Sequence, residues 1–326
     1  MAITDALAGP LQWLGIAKEV TSGTPVVPAY FMSPKTITAK DDPKKVDIEA
    51  LRGSMGTIFN VIPTIIVGSV ESDGYFYPDT DGFALAGIMG DIVETGSAAP
   101  YTHTFSLLNS APGQPHSYTL THSWGATEAR QRAFGIWDSV DLKFTSSGIL
   151  MATASATTFG SVQVAEVTPS VTAATPMPAW LGTVTIGGTA VSTIFDGSLT
   201  IKRDVAPIEV LNGTQIPGSI FGGTVTVTGK LSFIVDAADT VQVQFLNDTQ
   251  QSLVLNFTQG SGATEESLSL QMSLVDWKTY QLKEEKSYMA ADVDFTAILN
   301  STDAGASGGE SPLKVTLINA IPTGVY

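Results

Sequence analysis

The chain contains no cysteine. That absence excludes disulfide staples, thiolate nucleophiles and thiolate metal ligands. Histidine is scarce: the three present are His103, His116 and His122, and none stands in an H-x-x-x-H or H-E-x-x-H arrangement. Positive charge is also short, with 16 basic residues against 31 acidic ones, a formal net charge of −15. No basic stripe interleaved with aromatics is present, so a protein that grips nucleic acid is not expected. Apolar runs fall well short of the ~20 residues that a membrane-crossing helix needs. The opening MAITDALAGPLQWLG has no basic stretch ahead of its apolar residues, so no secretory signal is expected.

Catalytic motifs are missing as well. No phosphate-cradling loop, dinucleotide fingerprint or calcium loop occurs, and no cofactor is expected. Gly305 to Gly309 reads GASGG and formally matches a nucleophile elbow. It lies in a glycine-rich stretch with no helix after it, where that strained turn has no use. The carboxylate pairs Asp79/Asp81 and Asp236/Asp239 precede helix candidates, where they suit the positive helix end. Asp292 and Asp294 alternate with Val293 and Phe295, which puts them on the wet face of a strand. Glu284 and Glu285 sit between Lys283 and Lys286 in an expected turn. No enzyme is expected.

What the sequence does have is alternation. In Gly222 to Asp239, Val225, Val227, Leu231, Phe233 and Val235 share one face, and Thr224, Thr226, Thr228, Lys230 and Ser232 share the other. That is a strand with one greasy and one threonine-rich side. Tyr118 to Trp124, Val140 to Phe144, Ile149 to Phe159, Leu253 to Phe257, Leu268 to Leu274 and Val293 to Leu299 read the same way. Val61 to Val70 is an apolar strand whose Pro63 argues for an edge. Asp79 to Glu94 is the clearest helix, with Leu85, Ile88, Met89 and Ile92 in one stripe and Gly96 beyond its end. Lys40 to Arg52 reads as a charged loop. Val241 to Phe245 fits either a strand or a helix.

The order of elements repeats. FDGSLTIKRD from Phe195 parallels FMSPKTITAKD from Phe31, offset by 164, and strands, a short helix position, a strand and a long hairpin follow in both halves. The competing reading is two unrelated β-rich domains. The expected organisation is an arm (1–30), a first β domain (31–167), a linker (168–178), a second β domain (179–300), and a C-terminal linker and strand (301–326). The strand from Lys314 to Ile321 follows a loose linker and suits pairing outside its own domain.

Several stretches together resemble siphophage tail tube proteins, also called major tail proteins. They are Gly15-x-x-x-Glu19 with Gly23-Thr24-x-x-x-Pro28, then Tyr30-Phe31, Val70 to Gly82 (VESDGYFYPDTDG), His103-Thr104-Phe105, and Ser198 to Gly223. The resemblance implies a mainly β fold with short helices: two similar β-sandwich or barrel tube domains in tandem, plus the arm and the C-terminal strand. It implies a non-enzymatic structural virion protein, assembled in the host cytoplasm. Its partners would be itself, in hexameric or trimeric pseudo-hexameric rings that stack, together with tape measure, terminator and baseplate proteins. Double-stranded DNA would pass through without specific binding, and no membrane would be involved. Many relatives carry a further immunoglobulin-like domain, and none is expected after Leu299. Contact residues between subunits or rings are expected at Lys40, Asp41, Asp42, Lys44, Lys45, Arg52, Gln215, Ile216, Val315 and Leu317. Other virion roles (tail terminator, head decoration), a carbohydrate-binding adhesin module using Trp124, Trp137 or Trp277, and a carboxylate-dependent hydrolase are the alternatives.

Overall fold

The computed structural model describes residues 9–110, 113–125, 128–236 and 239–326. The first half runs β1 (Trp13–Lys18), β2 (Tyr30–Met32), β3 (Thr36–Glu49), β4 (Ile58–Tyr75), α1 (Gly82–Met89), β5 (Gly90–Thr95), β6 (Tyr101–Leu107), β7 (Tyr118–Ser123), β8 (Glu128–Thr145), β9 (Met151–Phe159) and β10 (Val162–Ala165). The second runs β11 (Gly182–Ile186), β12 (Thr189–Val191), β13 (Ile194–Ile208), β14 (Ser219–Ile234), α2 (Val241–Leu246), β15 (Gln251–Gln259), β16 (Glu266–Trp277), β17 (Gln281–Glu285), β18 (Tyr288–Ala297) and β19 (Lys314–Asn319). The protein is mainly β, and the strand pairs are antiparallel.

Hydrogen-bonded neighbours follow one order in both halves. The first half reads β2-β1-β7-β8-β9-β4-β3. The second reads β12-β11-β15-β16-β18-β14-β13. Each half adds its own pieces. The β5–β6 hairpin is inserted after α1, and β17 continues the course of β16 beyond a short irregular stretch.

Two contacts join the halves. The C-terminal part of β8 pairs with β13, so β3-β4-β9-β8-β13-β14-β18-β17 is one unbroken sheet. The last strand, β19, lies between β6 and β16. Val315 and Leu317, expected at contacts between subunits, are fully buried there. Their apolar face closes the chain's own core, and both edges of β19 are occupied.

Other expectations change as well. The segment read as an arm contains β1, whose Trp13, Leu14 and Ile16 are buried, while its first eight residues lie outside the described residues. Lys40 to Glu49 is strand rather than loop, because β3 continues as a ribbon paired with β4 far past the sheet. The 301–311 stretch is anchored: Asp303 is buried and accepts from Ser273 N and Oγ, both at 2.7 Å. Lys283 to Glu285 belongs to β17, with the turn at Lys286 and Ser287.

The helix is shorter than its periodicity predicts. All eight residues of α1 are buried, so it has no wet side and behaves as a core rod. Gly90 ends it at φ 86°, a left-handed conformation that favours glycine, and Ile92 belongs to β5. Gly87 permits close packing: a Cβ there would fall 2.6 Å from Tyr118 Cε2 and nearer still to Trp137. Phe83, Leu85, Ile88 and Met89 are essentially inaccessible, each contributing roughly 1.5–3 kcal/mol by burial.

Candidate assembly surface

The eight-stranded sheet turns an apolar face inward and a polar face outward. Register places Thr38, Glu71, Ser155 and Ser139 in one row of the polar face. A second row, Asp141, Thr200, Thr228 and Thr296, continues across the junction of the halves. The threonine-rich side expected of Gly222 to Asp239 belongs to β14, whose Thr224, Thr226, Thr228 and Lys230 are exposed on this face.

Charges on the face are tethered locally. Thr153 Oγ1 donates to Asp73 at 2.7 Å, and Thr200 Oγ1 donates to Asp141 across the β8–β13 junction. Asp292 accepts from Ser232 Oγ at 2.6 Å and pairs with Lys283 at 2.8 Å and Lys230 at 3.5 Å. Burial pushes the Asp292 carboxyl up, but the Lys283, Ser232 and Lys230 contacts outweigh it and hold it below its ordinary value. Asp196 is pushed up by burial and by neighbouring Asp292. Lysines and carboxylates interleave, and hydroxyls fill the space between them.

The sheet ends in two open edges. Among the described residues β3 pairs only with β4, and β17 only with β18. Beyond the sheet, the β3–β4 and β13–β14 hairpins project together. Lys44 is ion-paired with Glu209, Ile66 N donates to Gln215 O at 2.9 Å, and Gln215 Nε2 donates to Pro63 O at 3.1 Å. The guanidinium of Arg52 sits 3.6 Å from the centre of the Phe59 ring. Exposed apolar side chains crowd these tips: Leu51, Met55, Ile58, Val61 and Ile62 on one, Val210, Leu211 and Ile216 on the other.

The expected contact residues therefore divide. Lys40, Asp42, Lys44 and Lys45 are exposed along β3, Arg52 lies at its hairpin tip, and Gln215 and Ile216 lie at the neighbouring tip. Asp41 is occupied within the chain, accepting from Ser161 N at 2.8 Å and from Arg132 Nη2 at 3.2 Å. Val315 and Leu317 are not part of this surface. Leu282 on β17 is 47% exposed at the open edge, and the sequence does not single it out, because it stands alone beside the charged turn expected at Lys283 to Lys286.

The motif residues near the N-terminus are structural. Glu19 is buried and its carboxylate accepts from Gly23 N and Ser117 Oγ, both at 2.7 Å, and from Thr119 Oγ1 and Phe134 N, both at 2.9 Å. A Cβ at Gly15 would fall 2.5 Å from Pro28 Cβ. Gly15, Glu19, Gly23 and Pro28 thus fold the β1–β2 connection against β7. Ser307 of the GASGG stretch donates to Asp91 at 2.8 Å, a structural bond. Among the described residues no cluster of three or more His, Asp or Glu could hold a metal, and no helix is long and apolar enough to cross a membrane.

Residues 12–297 match the family model described as phage tail tube protein. The chain belongs to that family. It is a structural tail tube protein, a component of the virion tail whose partners are other copies of itself and other tail components. The matched region includes the whole eight-stranded sheet, both projecting hairpins and both helices. No curated protein matches the chain.

Proposed function

We propose that three copies of this chain close into a ring of six similar β modules, that rings stack into a hollow tail tube, and that the polar sheet face lines its bore. The modules correspond to residues 31–167, extended by β1 and the start of β2 from the segment before them, and to residues 179–300. The observation that carries this reading is the sheet itself: one polar face spanning both halves, with an open strand edge at each end among the described residues. Open edges invite pairing with another chain, and a ring removes them.

The chemistry of the face suits DNA that must move. A protein holds duplex DNA by neutralising successive phosphates with Lys or Arg. Here lysines stand among carboxylates, and Lys230 and Lys283 both pair with Asp292. Such a wall offers the duplex hydroxyls and balanced charge rather than a continuous cationic track. The projecting hairpins, tipped with exposed Ile58, Phe59 and Ile62, would bury that surface against the next ring. The chain on this reading does no catalysis.

Imaging of assembled protein by electron microscopy, end-on, with the ring mass measured in parallel, tests the proposal. Hollow rings with the mass of three chains are expected. A ring of six chains would overturn the stoichiometry. Solid fibres, or monomers that stay single at high concentration even with the tail's initiating complex supplied, would overturn the tube.

A further inference from the structure

The ring proposal leaves open which surfaces meet, and the repeated pairing order identifies them. In the first half, Trp137, Ala156, Val70 and Ala39 lie in one row across β8, β9, β4 and β3. In the second, Trp277, Phe295, Gly229 and Leu199 lie in the corresponding row across β16, β18, β14 and β13. Ala39 is therefore the counterpart of Leu199. Beyond each tryptophan the chain carries one extra residue relative to its partner strand and then resumes pairing. Leu142 comes to stand opposite Ala152, and Leu282 opposite Ala291. Leu282 is the counterpart of Leu142.

The junction inside the chain pairs Leu199 with Leu142. Its counterpart would pair Ala39 with Leu282, and in one chain those residues sit at opposite ends of the sheet. Only a second copy can bring them together. We infer that the outer edge of β3 in one copy pairs antiparallel with the outer edge of β17 in the next, Ala39 opposite Leu282, repeating between chains the β13–β8 junction within one. This inference rests on the ring reading and specifies its seam.

Burial supports the occupant. Leu142 is 1% exposed because β13 covers its edge, while Leu282 remains 47% exposed. Polar side chains agree in register. The internal junction sets Ser198 opposite Lys143 and Asp196 opposite Thr145. The proposed seam sets Thr38 opposite Lys283 and Thr36 opposite Glu285, again a hydroxyl against a lysine and a hydroxyl against a carboxylate. On the inward side Leu282 would lie beside Ile37 and Ala39, both already packed against the core. The two edges differ, so the contact is head-to-tail, the arrangement that closes rings.

Absence of cysteine makes the test direct. The double variant Thr38→Cys with Lys283→Cys, in the full chain assembled into tubes and then oxidised, should give covalent ladders ending at the ring size on a denaturing gel. Ser198→Cys with Lys143→Cys, across the internal junction, should close within single chains and calibrate the reaction. Thr38→Cys with Gln281→Cys or Glu285→Cys should react more slowly. Tubes that form yet cross-link at none of these Thr38 pairs would overturn the seam and leave the ring reading standing. Loss of tubes in the parent protein would overturn both. A second variant guards against the cysteines blocking assembly. Leu282→Asp should leave the monomer's melting temperature unchanged and raise the concentration needed for assembly at least tenfold. Unchanged assembly would overturn the seam.

Discussion

The two helices occupy the same place in the two halves and live in opposite surroundings. Helix α1 has every residue buried and touches β5, β6, β8 and β13, while α2 buries only Val241 and packs mainly on β16. Val243 and Leu246 of α2 are 57% and 72% exposed. The pairing order around them is the same, so the difference lies in what was added. The β5–β6 hairpin, β19 and the C-terminal tyrosine enclose α1, and nothing comparable encloses α2 among the described residues. A repeated frame thus holds one inside helix and one outside helix, and sequence changes at each should differ sharply in effect.

The largest effect is expected at Tyr326. Its ring is inaccessible and meets Phe83 of α1 edge-on at 4.9 Å, His103 at 4.7 Å and Phe105 at 5.7 Å. Its hydroxyl donates to Asp79 O at 2.9 Å and accepts from Asn319 Nδ2 at 2.6 Å. Tyr326→Ala should cost about 3–5 kcal/mol in denaturant unfolding, and Tyr326→Phe about 1 kcal/mol. A cost under about 1 kcal/mol for the alanine variant would mean that α1 does not depend on its cover.

Next comes Arg203, through which the second half holds the first. It is 2% exposed, donating from Nε to Ile88 O at 2.8 Å, from Nη2 to Met89 O at 3.3 Å, and from Nη1 to Gly223 O at 3.2 Å. A cation at a helix C-terminus is also favoured by the helix dipole. Burial lowers its pKa to about 10, which leaves it charged at neutral pH. Arg203→Met fills the volume but orphans buried carbonyls, and should cost about 1–3 kcal/mol. Arg203→Lys should recover little, because one ammonium cannot span three carbonyls in a fixed fork.

How much of this could be read from residues follows from where burial is one-sided. Strands such as β14, β16 and β18 alternate because one face is wet, and the sequence shows each of them. The outer part of β3 is exposed on both faces, so its residues carry no periodicity and look like a charged loop. The start of β5 continued the helical stripe by chance, and only Gly90's backbone ends α1 early. The last strand was legible as a strand from Val315 and Leu317, but alternation says nothing about which edge a strand joins. The same limit hid Leu282: its meaning comes from Leu142, far along the chain, and from a shared position that only pairing shows. The tube family was legible because Gly15, Glu19, Gly23 and Pro28 are held by sterics and hydrogen bonds that admit few replacements.

A pH experiment probes the N-terminal end of α1. Burial raises the Asp81 pKa from its ordinary 3.8 to about 7, with Asp79 adding to the rise and the bond from Tyr77 N opposing it. The sign follows directly. Unfolded Asp81 ionises near pH 4 while the folded group stays protonated to about 7, so folding loses stability as pH rises across that window and gains none above it. The gap caps the loss near 4 kcal/mol. Asp81 keeps some solvent contact, so about 2 kcal/mol is expected. Asp81→Asn keeps an acceptor for Tyr77 N, and should stabilise the protein at pH 8 while flattening its own share of the pH 4–7 slope. Unfolding curves at both pH values measure this, and an equal Asp81→Asn effect at pH 4 and pH 8 would rule out the buried acid.

The smallest effect is expected on α2. Val243→Ser removes an exposed methyl pair from a helix with one buried residue, and should change monomer stability by no more than about 0.5 kcal/mol. Its value lies in the contrast with assembly. An apolar side chain left 57% exposed in one copy has no folding role to explain it. If assembled tubes cover α2 as β5, β6 and β19 cover α1, hydrogen exchange in its backbone should slow on assembly while that in α1 stays unchanged. Equal protection of α2 before and after assembly would mean that the second half keeps its helix on the outside of the finished tube, and that the two halves of the repeat serve different walls.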